Sequence, residues 1–425
     1  MKNPLRYLLA AVPLTLLAAF TGNAFVKAAG GPNTGTGAYR VLAPIESGHL
    51  LLFPVVRTSS DSPVETPFIT LDEGIKSGEV EVTEAGNVRG LVRPRSRTGG
   101  QRDPGVWPPP PGNRNRGDEV NTLVLVNHSR KPLLLLAGEI VTGGKQDRVI
   151  ANDRIVPPDA DPIDLSVFCI EPGRWTGSSD SFGASAPKPA ESFMVQPAVR
   201  EKAMAEKDQQ QVWNSVHGTI SQMVAVTAAA PPAGSASETV TVDASAVGGP
   251  LNTTSYAKVM QNGAISAKVD EAAAPANQVR AQVLDKLRAE HAVGVVVAVR
   301  GKLIWADLFA NTDLLSRYWT KLVRSYAAES VTEIGDHDAP SVADAQRFLD
   351  SAATGHVTSE GDVGVYRYSE LRGNSIETFI LESLLPNANY EVHISKMKLR
   401  DSGDRAWREA PVSPRPSLAP IEPVR

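Results

Sequence analysis

The chain has 425 residues, of which 42% are hydrophobic and 21% charged, and its formal net charge is −4. That balance is ordinary for a globular protein and excludes a general electrostatic pull toward nucleic acid or an anionic membrane. A single cysteine, Cys169, excludes an intrachain disulfide, so the fold must rest on its core.

The first segment reads as a targeting signal. Lys2 and Arg6 precede the apolar run 8–20, and small residues follow, with cleavage expected after Ala24 or Ala28. A periplasmic or extracellular location follows, with an uncleaved N-terminal anchor as the alternative. The signal is assigned to residues 1–28; no later segment is long and apolar enough to span a bilayer.

Residues 39–170 carry a strand pattern. The stretches 49–57 and 79–86 are β-prone, the second alternating with period two. Residues 121–141 predict two buried strands about the polar turn 127–131, and 153–158 and 163–171 predict two more. Residues 92–119 interrupt this pattern. They are rich in Arg, Gly and Pro, hold four prolines at 108–111, and read as a long surface insertion.

Residues 189–224 predict helix, broken at Pro197, and 227–250 form a low-complexity loop. Then come an amphipathic helix at 277–290, a hairpin at 292–309 and a helix at 312–330 capped by Thr312 or Asp313. On the last helix Leu314, Leu315, Tyr318, Trp319, Leu322, Val323 and Tyr326 share one face, expected to be core. Residues 340–400 predict a further helix and two or three strands, packed on the main domain or forming an appendage, and 405–425 a disordered Pro-rich tail. The expected fold is α+β: a β-rich antiparallel sheet core with packed helices and long low-complexity loops.

Two runs invite chemical labels. In 138–150, Gly138 and Gly143 have the glycine spacing of a phosphate loop, but Gly144 stands where lysine is required and Gln146 offers no hydroxyl for a metal. In 169–175, Cys169 and Arg174 are spaced as in a thiol anion cradle. There Glu171 would add a negative charge and Pro172 removes a backbone donor. Cys169 is therefore expected to be a buried strand residue, slow to react. No G-x-S-x-G elbow is present, and the seven histidines have no metal-ligand spacing. No metal and no cofactor is expected, and the catalytic residues, if any, are unknown.

What remains is composition. Arginine forks grip anions, tryptophan offers a stacking face and glycine permits close approach. Glu139, Lys145, Gln146, Arg148, Glu171, Arg174 and Trp175 therefore read as a polar pocket for a nucleotide- or sugar-derived ligand. Two alternatives stay open. One is a hydrolase for an ADP-ribose-like or glycosidic substrate using Glu139 and Glu171. The other is a purely structural role, the same groups forming buried ion pairs. The partner expected is a small polar ligand, not nucleic acid; the sequence leaves the oligomeric state unknown.

The runs 123–150 and 169–175, with 293–327, resemble the ARPP-1 domain family. Gly138, Glu139, Gly143, Gly144, Lys145, Gln146, Arg148, Cys169, Glu171, Gly173, Arg174 and Trp175 stand at its motif positions, and the likeness spans roughly 39–330. The resemblance implies association with ADP-ribosylglycohydrolases and NAD-derived nucleotide metabolism and assigns no reaction. The export signal, the insertion at 92–119 and the C-terminal strands depart from that pattern.

Overall fold

The computed structural model describes residues 37–59, 66–84, 122–173, 181–184, 193–228, 253–278, 280–351, 356–373 and 375–399, with Pro63 and Ser179. Residues 1–28, read as a signal, the expected insertion at 92–119, positions 229–250 of the expected loop and the expected tail at 405–425 lie outside the described residues.

The first strands are β1 (Tyr39–Val41), β2 (Ile45–Ser47) and β3 (Leu50–Arg57). The short β4 (Ile69–Thr70) runs into α1 (Leu71–Ser77), which opens on a Thr70–Glu73 capping box. Eight more strands follow: β5 (Val80–Glu84), β6 (Thr122–Asn127), β7 (Leu133–Leu135), β8 (Ile140–Gly143), β9 (Arg148–Ile150), β10 (Arg154–Val156), β11 (Ile163–Cys169) and β12 (Ser181–Ala184).

The next segment is helical. α2 (Pro197–Glu201) passes into one π-helical turn, Lys202–Glu206, and then come α3 (Gln209–Ala228), α4 (Tyr256–Gln261), α5 (Gly263–Gln278) and α6 (Arg280–Ala289). Pro197 does not break a helix, as the sequence suggested; it opens one, where its missing N–H costs nothing. The hairpin β13 (Ala292–Val299) and β14 (Lys302–Phe309) leads into α7 (Thr312–Thr332) and α8 (Val342–Asp350). The cap of α7 is Asn311, not Thr312 or Asp313: its side chain accepts from the Leu314 amide at 2.9 Å. Four strands close the described chain: β15 (His356–Asp362), β16 (Tyr366–Arg372), β17 (Ile376–Leu385) and β18 (Ala388–Lys398).

The fold is α+β and β-rich. A large antiparallel sheet runs β1-β3-β13-β14-β18-β17-β16-β15, with β2 paired to β3. A closed barrel runs β11-β6-β5-β12-β8-β9, and β10-β7-β4 form a small third sheet. β4 and β7 are parallel, an exception within an antiparallel architecture. No boundary falls at 330: β18 hydrogen-bonds β14 from Trp305–Met397 to Phe309–His393, so the C-terminal strands are part of the main sheet rather than an appendage.

β13 explains its own sequence. AVGVVVAV is buried at every position because helices cover both faces of the sheet, so the strand is continuously apolar rather than alternating. On one face α7 supplies Leu315, Tyr318, Trp319 and Leu322, the predicted apolar stripe, all buried. On the other, α8 supplies Ala345, Phe348 and Leu349. The barrel has a separate core of Val82, Leu123, Leu125, Val141, Ile150, Val167 and neighbours.

Candidate functional site

The motif residues lie on the barrel. β8 and β9 pair with Val141 opposite Arg148, and β11 pairs with β9 so that Cys169 lies opposite Arg148. The loop 144–147 and the segment 169–173 thus become neighbours. Gly144 is required there: at φ +49, a Cβ would enter the Phe182 ring at 2.2 Å and meet Glu84 Oε1 at 2.8 Å.

Buried side chains pin this loop pair. The Lys145 amide donates to Glu84 Oε1 (2.8 Å), and the buried Arg148 guanidinium lies 3.9 Å from the same oxygen. Gln146 Nε2 donates to the Glu171 carbonyl (3.2 Å), and the Asp147 amide to Glu171 Oε2 (3.2 Å). Ser255, at the head of α4, donates to Asp147 Oδ2 (2.7 Å). Glu171 is 3% exposed and pairs with Lys258 at 3.6 Å, whose side chain is 60% exposed. Gln146, Arg148 and Glu171 are therefore buried parts of one network, while Lys145 is half-buried and Gly173 exposed at its rim. Arg174 and Trp175 lie outside the described residues.

Cys169 is fully buried, and burial raises its thiol above the ordinary range despite nearby Arg148. Its backbone is held on both sides by Gln209, which accepts from its amide and donates to its carbonyl, each at 2.9 Å.

Glu139 belongs to a different cluster. It is fully buried, accepts from the Leu136 amide (2.8 Å) and pairs with Lys321 Nζ of α7 at 2.6 Å. Lys321 also pairs with Asp72 at 2.7 Å. With one cation shared by two carboxylates, burial raises Glu139 above the usual carboxylate range. Glu139 and Glu171 thus sit in separate networks with separate lysines.

A third cluster escaped the sequence reading. Arg200 of α2 is fully buried and grips both carboxylate oxygens of Asp307 on β14, at 2.9 and 3.0 Å. Ser395 donates to Asp307 (2.7 Å), as does the Tyr326 hydroxyl. His393 places Nδ1 2.6 Å from Asp153 and Nε2 3.2 Å from Asp307, the second an ion-pair distance without hydrogen-bond alignment. Burial opposes every charge here. Even so, Asp153 and Asp307 raise His393 to about 9, and Arg200 and His393 hold Asp307 far below the usual range. The one signal in the sequence was Asp307 itself, an acid inside an apolar strand.

Among the described residues no group of three or more His, Cys, Asp or Glu could hold a metal ion, and no described helix is long and apolar enough to cross a membrane. No curated protein and no solved structure matches the chain. Residues 38–397 match the family model of the ARG and Rhodanese-Phosphatase-superfamily-associated Protein domain, and the chain belongs to that family, ARPP-1.

Proposed function

We propose that this is an exported, non-catalytic ligand-binding or interaction protein that takes a polar, anionic ligand of nucleotide or sugar origin at the rim of the 143–148 and 169–175 loops. One observation carries the reading. The buried Glu171 carboxylate holds both the Asp147 amide and the exposed Lys258, so a surface cation is fixed to the loop pair that also carries half-buried Lys145 and exposed Gly173. A cation anchored from below loses less freedom on binding than a free surface lysine. Arg174 and Trp175 follow Gly173 directly in sequence. Export rests on the leader at 1–28.

A second reading is favoured by burial. Glu139, Gln146, Arg148 and Glu171 all face protein partners, as fold determinants would. The hydrolase reading has less support, because Glu139 and Glu171 are each committed to a lysine of their own. Calorimetric titration with pyrophosphate, ADP and galacturonate separates the first two. Binding that Lys145→Ala and Lys258→Ala weaken, with an unchanged melting temperature, supports the ligand reading. No binding of any probe by the wild type leaves the structural reading.

A further inference from the structure

A cavity far from these loops in sequence has a built charge pattern. It lies at one end of the main sheet and encloses about 380 Å³ including its open mouth. The sheet side supplies Lys302 and Ile304 from β14 and Lys398 from the end of β18. The helix side supplies Glu201, the last residue of α2, and Glu333, which caps the C-terminus of α7. Cations therefore stand on one wall and carboxylates on the other. Lys302 and Glu333 pair across the two walls at 4.0 Å, and Glu201 pairs with the neighbouring Lys202 at 3.9 Å.

The cavity wall also contains Trp305. β14 carries one extra residue against β13, since Trp305 pairs with Val297 and Leu303 with Ala298. The bulge leaves Ile304 unpaired there and brings it beside Trp305 on the cavity wall. Trp305 is 1% exposed, and its Nε1–H has no hydrogen-bond partner among the described residues. A buried N–H donor without an acceptor is costly, and an oxygen supplied by a ligand would satisfy it.

We propose that this cavity is a binding site for a small zwitterion of the free amino-acid class. The ligand ammonium faces Glu201 and Glu333. Its carboxylate faces Lys302 and Lys398 and accepts from Trp305 Nε1. Pro197 and Ile304 bound the space left for a side chain. A molecule with both charges satisfies both walls at once, whereas a simple anion or cation leaves one wall facing a like charge.

The test is calorimetric titration of the full chain with glycine, alanine, leucine, glutamate and lysine, alongside acetate and methylammonium. At least one amino acid is expected to bind saturably and to shift the tryptophan emission, with acetate and methylammonium silent at the same concentrations. Glu333→Gln and Lys398→Met are each expected to weaken that binding about tenfold or more, since each removes a charge-assisted contact. Lys398 is exposed, so its replacement leaves the fold intact, as circular dichroism would verify. Lys258→Ala, in the other site, is expected to leave amino-acid binding unchanged. Absence of saturable binding by every amino acid overturns the proposal. So does binding indifferent to both cavity variants, or binding of acetate or methylammonium as tight as that of the amino acids.

Discussion

Gly138 leaves open the space that the Arg200 stem occupies. Gly138 has φ +93, and a Cβ built on it would lie 2.9 Å from Arg200 Cδ and 3.0 Å from Cγ. The missing side chain is the space through which the Arg200 stem reaches Asp307. The Gly-Glu pair of the 138–150 run thus serves two buried ion clusters: Gly138 admits Arg200, and Glu139 holds Lys321.

Gly138→Ala is accordingly expected to destabilise by at least ~2 kcal/mol, from the backbone strain of a side chain at positive φ plus displacement of Arg200. Urea denaturation measures it. A loss below about 0.5 kcal/mol would mean that Arg200 has other routes to Asp307.

Arg200→Met leaves the Asp307 carboxylate buried without its bidentate partner. The expected cost is about 3–5 kcal/mol. Adding Asp307→Asn should recover part of it, because the second change removes the stranded charge. A double variant as unstable as the sum of the two singles would contradict the direct pairing.

His393 gives this cluster a pH dependence. Its folded value is raised from 6.5 to about 9, so the folded state holds the proton more tightly than the unfolded chain. Its contribution is fully present below pH 6.5 and is lost as pH rises through about 9. Denaturation midpoints should fall across that window, and His393→Gln should flatten the fall.

Glu377 titrates lower, by a different cause. Burial raises it from 4.5 to about 7, with Arg372 opposing the shift and Glu370, Glu206 and Glu201 adding to it. Its protonated form is the one the fold prefers, so its contribution is present below pH 4.5 and is lost as pH rises through about 7. Glu377→Gln should be more stable than the wild type at pH 8 and nearly equal at pH 4. Equal stability at both would show that the carboxylate is solvated in the folded state.

Cys169 should resist labelling by a thiol reagent in the native protein and react fully in urea. It is buried, its thiol raised, and its backbone clamped by Gln209. Rapid stoichiometric labelling under native conditions would place the thiol at the surface instead.

The chain itself determined what local periodicity encodes. The continuous apolar run of β13 announces a strand covered on both faces, and the stripe from Leu314 to Tyr326 announces the core face of α7. Cys169 was legible as buried, because that reading depends on its apolar neighbours in sequence. The strands β9 and β12 were missed: at 3 and 4 residues they are too short for a period to show, and the barrel ladder makes them strands. α4 and α5 were missed because they follow a low-complexity stretch and are supported by packing, α5 against α7 and β2 and α4 against α5 and α3. The ion clusters were beyond the sequence for another reason. Arg200 and Asp307 stand 107 residues apart, and Asp153 and His393 240 apart. Whether a charged side chain is a surface ornament, a ligand contact or a buried clamp depends on what faces it, and only the closure of the sheet onto the helices and barrel supplies that partner.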